Sequence, residues 1–568
     1  MQNNAIEPKL SPNEALKASS PTLAGTLAQT LADPQADHFS EEDAQFLKFH
    51  GSYQQDDRDL RKQGKKFIFM VRVRMPGGVL KPEQYVALDK LATDYGNDSL
   101  RVTSRQGIQF HGIIKTGLAR TIRGINEVML TTLAACGDVV RNVVTPPPVL
   151  HGLVGEQVLD DARLLSKSLL PQTPAYHEIW LNGEKLQLES EAAKNFEDPL
   201  YGKTYLPRKF KISFAIPPVN DVDIFAQCLG FIAIQEDGKV SGYNVVAGGG
   251  MGRSHGNHQT FPRLADLIGY IPREAVEATA WAVVGIHRDF GDRANRKHAR
   301  LKYVLADRGV DWFRQQLEQR LGFALEPARP FVFTRQGDLY GWRQQPDGTW
   351  ILGMFIETGR IRDTESRRLK TALRQVVEQF GLEVHLTPAN NLLLVGIQDN
   401  KRADVTRVLA EHGVDPAQRV SAVRGASMAC VALPTCGLAL AEAERFLPQL
   451  MTHIEEAMQE TGLANDEIII RMTGCPNGCA RPYMAEIALV GKAPGRYQLF
   501  VGGNPAGTRL NRVYKDTVKE TEIVAELKSL FERYRRERLA NERFGDFAAR
   551  VLWLENAAQN NQAPAVVG

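Results

Sequence analysis

A chain of 568 residues is too long for one compact core and predicts several packing units. Its 69 Lys and Arg nearly balance its 66 Asp and Glu, so the formal net charge of +3 gives no indication of a nucleic-acid or membrane partner. No uninterrupted apolar run reaches the roughly 18 residues of a membrane span, and the first residues lack the pattern of a signal peptide. We therefore expect a cytoplasmic protein whose functional charge is concentrated locally.

The first 50 residues are rich in Ala, Ser, Pro, Asn and Gln and have weak periodicity. This composition is typical of a mobile arm with at most one short helix. From Phe67 the pattern changes to FIFMVRVRMPGGVL, an apolar strand that ends at a Pro-Gly-Gly turn. A helix over PEQYVALDKLATDYG and a strand pair over LRVTSRQGIQFHGII follow, which together predict a β-α-β unit.

The same order of elements returns later in the chain. It is repeated by WILGMFIETGRI, a helix over SRRLKTALRQVVEQFG and the strands of VHLTPANNLLLVGI, so that Thr103 matches Thr387 and Gly112 matches Gly396. Each unit is followed by a strand-rich region with a glycine turn, GYNVVAGGGMG in the first half and RYQLFVGGNPAG in the second. The pattern predicts an internal duplication, with two unrelated α+β units as the alternative. A duplicated fold places a cleft between its halves, which suits a large cofactor.

Four of the six cysteines lie close together in the last third of the chain: Cys430, Cys436, Cys475 and Cys479. Their spacing is Cys-x5-Cys, then 38 residues, then Cys-x3-Cys. Four thiolates suit either zinc or an iron–sulfur cluster. Structural zinc sites favour tighter pairs, and the glycines and proline around the second pair predict a loop whose amides face sulfurs. A cluster is therefore favoured, with zinc as the alternative.

The cysteine segments SMACVALPTCGLALAEAE and RMTGCPNGCARPYMAEIALVG resemble the signature of the siroheme-dependent sulfite and nitrite reductases. The resemblance extends over most of the chain, including both repeats. It implies an α+β fold in which duplicated ferredoxin-like units and two larger mixed α/β cofactor-binding domains are related by a pseudo-twofold axis. It also implies that the four cysteines hold a 4Fe-4S cluster and that Cys479 additionally bridges to the siroheme iron.

These patterns divide the chain into five predicted parts. They are a mobile arm (1–50), a first ferredoxin-like half-domain (51–145), a first siroheme-binding α/β domain (146–330), a second ferredoxin-like half-domain (331–420) and a second α/β domain with the cluster cysteines (421–568).

A siroheme carries eight carboxylates and sulfite is a dianion, so their pocket requires fixed cations. Arg72 and Arg74 lie two residues apart in a strand pattern, as do Lys209 and Lys211, which predicts that each pair shares one face. By the resemblance, the residues around the bound oxyanion are Arg72, Arg141, Lys209 and Lys211. Those that contact the haem carboxylates or ring edge are Arg101, Arg105, Gln109, His111, Arg208 and Asn477, with Cys479 below the iron. By the family pattern His111 does not ligate iron.

The resemblance implies six-electron reduction of sulfite to sulfide in assimilatory sulfate reduction and cysteine biosynthesis. TYLPRKFK and GKAPGRYQLFVGG are most similar to bacterial assimilatory sulfite reductase haemoproteins. A siroheme nitrite reductase that makes ammonia is the alternative, and the paired lysines favour sulfite because a dianion calls for more fixed positive charge. A zinc-stabilised scaffold without catalysis is a further alternative, but it leaves the paired cations unexplained.

The electron donor is expected to be another chain. The run from Gly248 to Gly252 lacks the Gly-x-Gly-x-x-Gly spacing of a dinucleotide site, and no flavin motif is evident. The resemblance implies an NADPH-dependent flavoprotein subunit, with ferredoxin as the alternative. No nucleic-acid or membrane partner is expected.

Overall fold

The structure, a computed structural model, describes residues 9–173, 180–181, 184–185, 196–257 and 259–555. The two ends of the chain, 1–8 in the predicted arm and 556–568 in the predicted last domain, lie outside the described residues. Among the residues described, no helix is long and apolar enough to cross a membrane.

Strands and helices are interspersed along the described chain. The strands are β1 (Ser52–Asp56), β2 (Phe67–Arg72), β3 (Val79–Leu80), β4 (Leu100–Val102), β5 (Ile108–Ile113), β6 (Trp180–Leu181), β7 (Glu184–Lys185), β8 (Ile212–Ala215), β9 (Leu229–Glu236), β10 (Lys239–Ala247), β11 (Asp266–Pro272), β12 (Gly341–Gln344), β13 (Trp350–Met354), β14 (Arg360–Ile361), β15 (Glu383–Leu386), β16 (Leu392–Ile397), β17 (Ser427–Ala429), β18 (Ile470–Thr473), β19 (Ile487–Ala493), β20 (Arg496–Val501) and β21 (Arg512–Lys519). The α-helices are α1 (Pro12–Ser19), α2 (Leu27–Ala32), α3 (Glu41–Phe49), α4 (Pro82–Tyr95), α5 (Lys115–Glu127), α6 (Gly152–Ser168), α7 (Val276–Phe290), α8 (Leu301–Arg308), α9 (Val310–Leu321), α10 (Leu369–Phe380), α11 (Arg402–Glu411), α12 (Ala422–Gly425), α13 (Leu447–Glu460), α14 (Ile523–Glu537) and α15 (Phe544–Phe547).

The two β-α-β units exchange one short strand each. The first unit's sheet has the order β1-β2-β5-β4-β14, and the second has β12-β13-β16-β15-β3. Strand β3 pairs with β15, with Leu80 opposite Val384, while β14 pairs with β4, with Ile361 opposite Leu100. One apolar core contains residues of both units. The predicted duplication is confirmed, but the two half-domains form one interlocked unit rather than two separate ones.

The helices of this interlocked unit form where apolar residues recur at helical spacing. In α10 the buried positions follow the i, i+3, i+4 pattern of an amphipathic helix, as in Leu369, Leu373 and Val376. The helix ends at Gly381, whose φ of 64° is the left-handed conformation that glycine adopts without strain. Helix α10 packs on α4, its counterpart in the first unit.

The two larger domains repeat one sheet arrangement. Strands β8 and β9 are parallel and β10 is antiparallel to them; β18, β19 and β20 repeat this order. Strands β8 and β9 begin at Ile212 and Leu229, whereas β18 and β19 begin at Ile470 and Ile487, so residues 258 positions apart correspond. Apolar side chains of both sheets, including Ile232 and Ala488, pack together where the domains meet.

A buried ion pair joins the halves at corresponding positions. Asp223 and Arg481 are 258 positions apart, and both have positive φ, 48° and 53°. The Arg481 guanidinium donates to the Asp223 carboxylate, and Arg471 donates to the same oxygen at 2.6 Å. Burial acts to raise the pKa of Asp223, but the two guanidinium groups outweigh it and hold that pKa below its ordinary value.

The N-terminal segment differs from the predicted mobile arm. Its described part forms three helices instead of at most one, and it packs on the first α/β domain. Lys17 is buried, and its ammonium donates to Glu14 Oε1 at 2.6 Å and to the Leu206 carbonyl at 2.8 Å. The Tyr205 hydroxyl donates to the Pro21 carbonyl at 2.8 Å. The contacts of Lys17 with Leu206 and of Tyr205 with Pro21 join residues far apart in the chain. The composition of the N-terminal segment alone therefore could not predict them.

Replacing Asp223 with Ala should destabilise the junction of the halves by about 3–5 kcal/mol, because two buried guanidinium groups lose their counter-ion. Urea unfolding followed by two spectroscopic probes measures the change. Asp546→Ala is the control, since its exposed pair with Arg509 should be worth less than about 1 kcal/mol. Equal losses for the two variants would contradict the role of the buried pair.

Candidate functional site

A cavity between the halves brings together residues from three distant segments. Its walls include Arg105, Lys209, Lys211, Asn477 and Cys479. All five belong to the predicted site.

The cysteines follow two parallel strands. Cys430 comes directly after β17, and Cys475 and Cys479 lie in the loop after β18. Because carboxyl ends of parallel strands meet at one edge of a sheet, the two cysteine segments converge there. Burial and then the neighbouring Cys479 raise the pKa of Cys475 to about 12. Cys430 is affected in the same direction, first by burial and then by the other thiols. These thiols therefore need bound metal to stay ionised.

Hydrogen-bond donors lie close to two of the four cysteine sulfurs. The backbone N–H of Gly474 points at Cys430 Sγ at 3.4 Å, and Asn477 Nδ2 points at Cys475 Sγ at 3.6 Å. Such donors stabilise negative charge on sulfur. Cys479 is the most exposed of the four cysteines and lines the cavity.

The two lysines of the cavity lack counter-ions. Neither ammonium has a hydrogen-bond or ion-pair partner among the residues that the structure describes. Burial, followed by the nearby arginines, lowers the pKa of Lys209 well below its ordinary value. Burial and the neighbouring Arg105 and Arg300 lower the pKa of Lys211 to about 7. An anionic ligand would relieve this repulsion, so the cavity fits an anion.

Arg72 and Arg141 meet around two residues that the sequence did not point to. Arg72 Nη1 donates to Cys136 Sγ at 2.7 Å, and its guanidinium lies 6.0 Å from the centroid of the Tyr53 ring. Arg141 also hydrogen-bonds to the Tyr53 side chain, and Tyr53, Cys136 and Asp138 outweigh burial to raise the pKa of Arg141. Cys136 lies in the segment that contains Arg141, but nothing in its spacing marks it as a site residue.

Arg74 does not share the face of Arg72. Strand β2 ends at Arg72, so the alternation on which the shared face was predicted stops before Arg74. The Arg74 guanidinium is buried and donates to the Ser166 and Val140 carbonyls at 3.0 and 2.8 Å. Arg74 therefore connects the segments of Val140 and Ser166 and is not part of the cavity wall.

Arg101 connects the first half to the cluster segment. Its guanidinium forms an ion pair with Glu444 and donates to the Ala429 carbonyl at 2.8 Å, directly before Cys430. Glu444, which lies between the two cysteine pairs, also binds Arg360 at 2.6 Å. Burial lowers the pKa of Arg101 to about 10. Arg101 was predicted to contact the haem, and in the structure it has a carboxylate partner beside the cysteines.

Gln109 and His111 lie on β5 behind Arg72. With its amide oxygen turned towards the guanidinium, Gln109 accepts from Arg72 Nε at 2.9 Å and donates to His111 Nε2 at 3.3 Å. His111 then carries its proton on Nδ1, a buried atom with no partner among the described residues. Burial and the cations around it lower the pKa of His111 well below its usual value, so the ring is neutral.

Arg208 and Arg105 add further positive charge around the main cavity. Arg208 lies 3.8 Å from Asp138 Oδ1, and burial lowers the pKa of Arg208 to about 10. Arg105 donates to the Ile212 carbonyl at 2.9 Å, but its Nε is buried without a partner in the described chain. Arg300 also lines the cavity and was missed, because it precedes a helix in a segment without a recognisable motif.

Known proteins match both repeats of the chain. The family described as "Nitrite/Sulfite reductase ferredoxin-like half domain" matches residues 60–128 and 343–412, and "Nitrite and sulphite reductase 4Fe-4S domain" matches residues 160–325 and 421–555. The chain belongs to the nitrite and sulfite reductase family. The two matches of each kind correspond to the repeated units of the fold.

Similar family members are named as components of a sulfite reductase. The "Sulfite reductase [NADPH] hemoprotein beta-component" of Myxococcus xanthus is 49% identical over 552 residues, with 96% of this chain and 97% of that protein covered. That of Geobacillus kaustophilus is 47% identical, with 95% of each chain covered. The solved structure of NirA from Mycobacterium tuberculosis has the same fold, with a TM-score of 0.78, 23% identity and coverage of 96% and 97%.

Replacing Cys430, Cys436 or Cys475 with Ser should lower the iron and acid-labile sulfide content, because each removes one predicted cluster ligand. Cys136→Ser and Cys228→Ser are matched controls, since these buried cysteines lie outside the cluster segments. Elemental analysis of the purified variants measures the difference. Stoichiometric zinc in the wild type, or equal iron loss in the controls, would contradict the predicted ligand set.

Proposed function

We propose that this chain is the haem-bearing subunit of an assimilatory sulfite reductase. It reduces sulfite to sulfide with six electrons at a siroheme coupled through Cys479 to a 4Fe-4S cluster. The observation that carries this proposal is the cavity in which unpaired Lys209 and Lys211 lie with an exposed cluster cysteine. The names of the similar family members support sulfite as the substrate.

The residues around the cavity fit a large anionic cofactor. Buried donors without partners among the described residues, Arg105 Nε and His111 Nδ1, require acceptors, and siroheme carboxylates supply them. Arg208 and Asn477 would provide further donors, and Arg101 would hold the cluster segment beside the first half. The unpaired donors of Arg105 and His111 are therefore consistent with the predicted siroheme contacts.

The chain's own residues bind sulfite and supply protons. When bound, siroheme and the cluster would supply the electrons and the redox-active iron for this chemistry. Arg72 and Arg141 act as fixed positive charge, because a guanidinium keeps its proton at neutral pH. Lys211, with a pKa of about 7 before an anion is bound, can hold and release a proton at Nζ. Sulfite takes up six electrons and seven protons and leaves as hydrosulfide and three waters.

Electrons reach the cluster from another protein. The names of the similar family members support an NADPH-dependent partner, which we propose to be a flavoprotein subunit. Ferredoxin is the alternative donor. We place the reaction in the cytoplasm, in sulfate assimilation and cysteine biosynthesis, because sulfide supplies the thiol of cysteine.

The test of the function is an absorption spectrum with iron and sulfide analysis, followed by turnover with a chemical reductant. We expect siroheme bands, five irons per chain and a higher kcat/KM for sulfite than for nitrite. A preference for nitrite would favour the alternative family activity. A colourless protein without labile sulfide would contradict both.

Replacing Lys209 or Lys211 with Ala should lower kcat/KM for sulfite by roughly 100-fold or more, as expected for loss of a proton donor or a charged contact in an enclosed site. Siroheme and iron content should stay unchanged. Lys203→Ala is the control, because this exposed lysine lies outside the cavity. Loss of siroheme in the two variants would instead show that these lysines bind the cofactor rather than sulfite.

The KM for sulfite should rise with pH above about 7, because Lys211 loses its proton and with it one charge of the anion site. Siroheme carboxylates can only move this rise to higher pH, since negative charge raises the pKa of an ammonium. Lys211→Arg should remove the pH dependence in this range. A KM that is constant up to about pH 9 in the wild type would contradict the role of Lys211.

A further inference from the structure

A second cavity lies between the halves as the pseudo-twofold counterpart of the first. Its walls include Asp221 and Glu467, and Arg481 borders both cavities. With the shift of 258 positions between the repeats, Asp221 corresponds to Cys479 and Glu467 corresponds to Lys209. The two cavities are therefore built from the same parts of the two repeats.

The counterpart cavity has the opposite charge. Glu467 stands where the first cavity has Lys209, Ile469 stands where it has Lys211, and Asp221 replaces the bridging cysteine. Asp338 adds a further carboxylate to its wall. The guanidinium groups of its walls, Arg471 and Arg481, are already engaged by Asp223. An anion such as sulfite or a haem carboxylate has no counter-charge there.

Two buried acceptors in this cavity lack donors. Asp221 is 6% exposed, and its Oδ1 has no hydrogen-bond partner among the described residues. Gln336 is 8% exposed; its Nε2 donates to the Asn220 carbonyl at 3.2 Å, whereas its Oε1 has no partner in the described chain. Unpaired buried acceptors cost about 1–3 kcal/mol each, so a ligand that donates hydrogen bonds would be stabilised.

The carboxyl groups also favour a positive ligand. Burial and then the nearby Asp338 raise the pKa of Asp221 to about 7, although Arg481 acts against the shift. Burial likewise raises the pKa of Asp338, which accepts a hydrogen bond from Asn391 Nδ2 at 2.7 Å. Two carboxyl groups that repel each other are stabilised when a cation lies between them.

The size of the cavity and its apolar walls indicate more than a single ion. The cavity volume is about 140 Å³. Val420, Met428 and Ile469 form apolar parts of the wall. An aliphatic chain of a few carbons would contact this surface and displace water from it.

We propose that this counterpart cavity binds a small organic cation, with an ammonium group held by Asp221 and Gln336 and a short aliphatic body against Met428 and Ile469. The ligand class follows from the inverted charge, the two unpaired acceptors and the apolar wall together. Its binding is independent of the proposed sulfite reduction, because none of these four residues is part of the sulfite or siroheme site.

Isothermal titration calorimetry of the holoenzyme with n-butylamine hydrochloride tests the proposal, at a pH about one unit above the pKa of Asp221. We expect one bound amine per chain. Butanol, which has the same length without the charge, should bind at least about tenfold more weakly, as expected for loss of a charged hydrogen bond. No binding of the amine, or equal affinity for butanol, would overturn the proposal.

Two variants and a control identify the site. Asp221→Asn should weaken amine binding at least about tenfold by removing the charge, and Ala426→Leu should weaken it by filling the cavity that Ala426 lines. Glu460→Gln, an exposed carboxylate paired with Lys528 at 2.6 Å, should leave binding unchanged. Siroheme absorption and sulfite turnover should be unaltered in all three, which separates this result from the proposed function. Wild-type amine affinity in both cavity variants would overturn the proposal.

Discussion

Buried like charges at the junction of the two halves are the constraint on which this structure depends. Ammonium and guanidinium groups accumulate around the main cavity, where their mutual repulsion raises the free energy of the protein without its cofactors, and burial raises the pKa of the cysteine thiols beside it. An iron–sulfur cluster compensates the thiolates, and an anionic cofactor with an anionic substrate compensates the cations. Cofactor binding relieves this repulsion. The free energy of folding and the free energy of cofactor binding are therefore linked.

The duplicated scaffold makes this concentration of charge possible. Each larger sheet supplies one wall, and the ion pair of Asp223 with Arg481 holds the two walls together at corresponding positions. Behind the walls, the glycine turns after β10 and β20 make equivalent contacts. Gly249 donates to the Gln227 carbonyl at 2.8 Å, and Gly503 donates to the Ala485 carbonyl at 3.1 Å. The repeats have kept their backbone framework while the side chains facing the two cavities have diverged in sign.

Much of this arrangement could be predicted from sequence, because the informative features were local. The spacing of the cysteines, the alternation around Lys209 and Lys211 and the repeated order of elements all lie within short segments. Features that depend on distant contacts could not be predicted. The docking of the N-terminal helices rests on Lys17 and Tyr205, and the ion pair of Arg101 with Glu444 joins residues of opposite halves. The expectation that Arg74 shares the face of Arg72 differed from the structure because the strand ends at Arg72, two residues before Arg74.

The exchanged strands have a consequence for how the protein is made. Strand β3 pairs with β15, so the first sheet-forming region places one of its strands on a partner that leaves the ribosome some 300 residues later. Until then neither half-domain has its complete core, and β3 and the edge of β4 that takes β14 are open to unwanted pairing. Both cysteine pairs follow β15 in the chain. All four cysteines therefore become available only after both exchanged strands have been made, so the metal site can be assembled only late in synthesis.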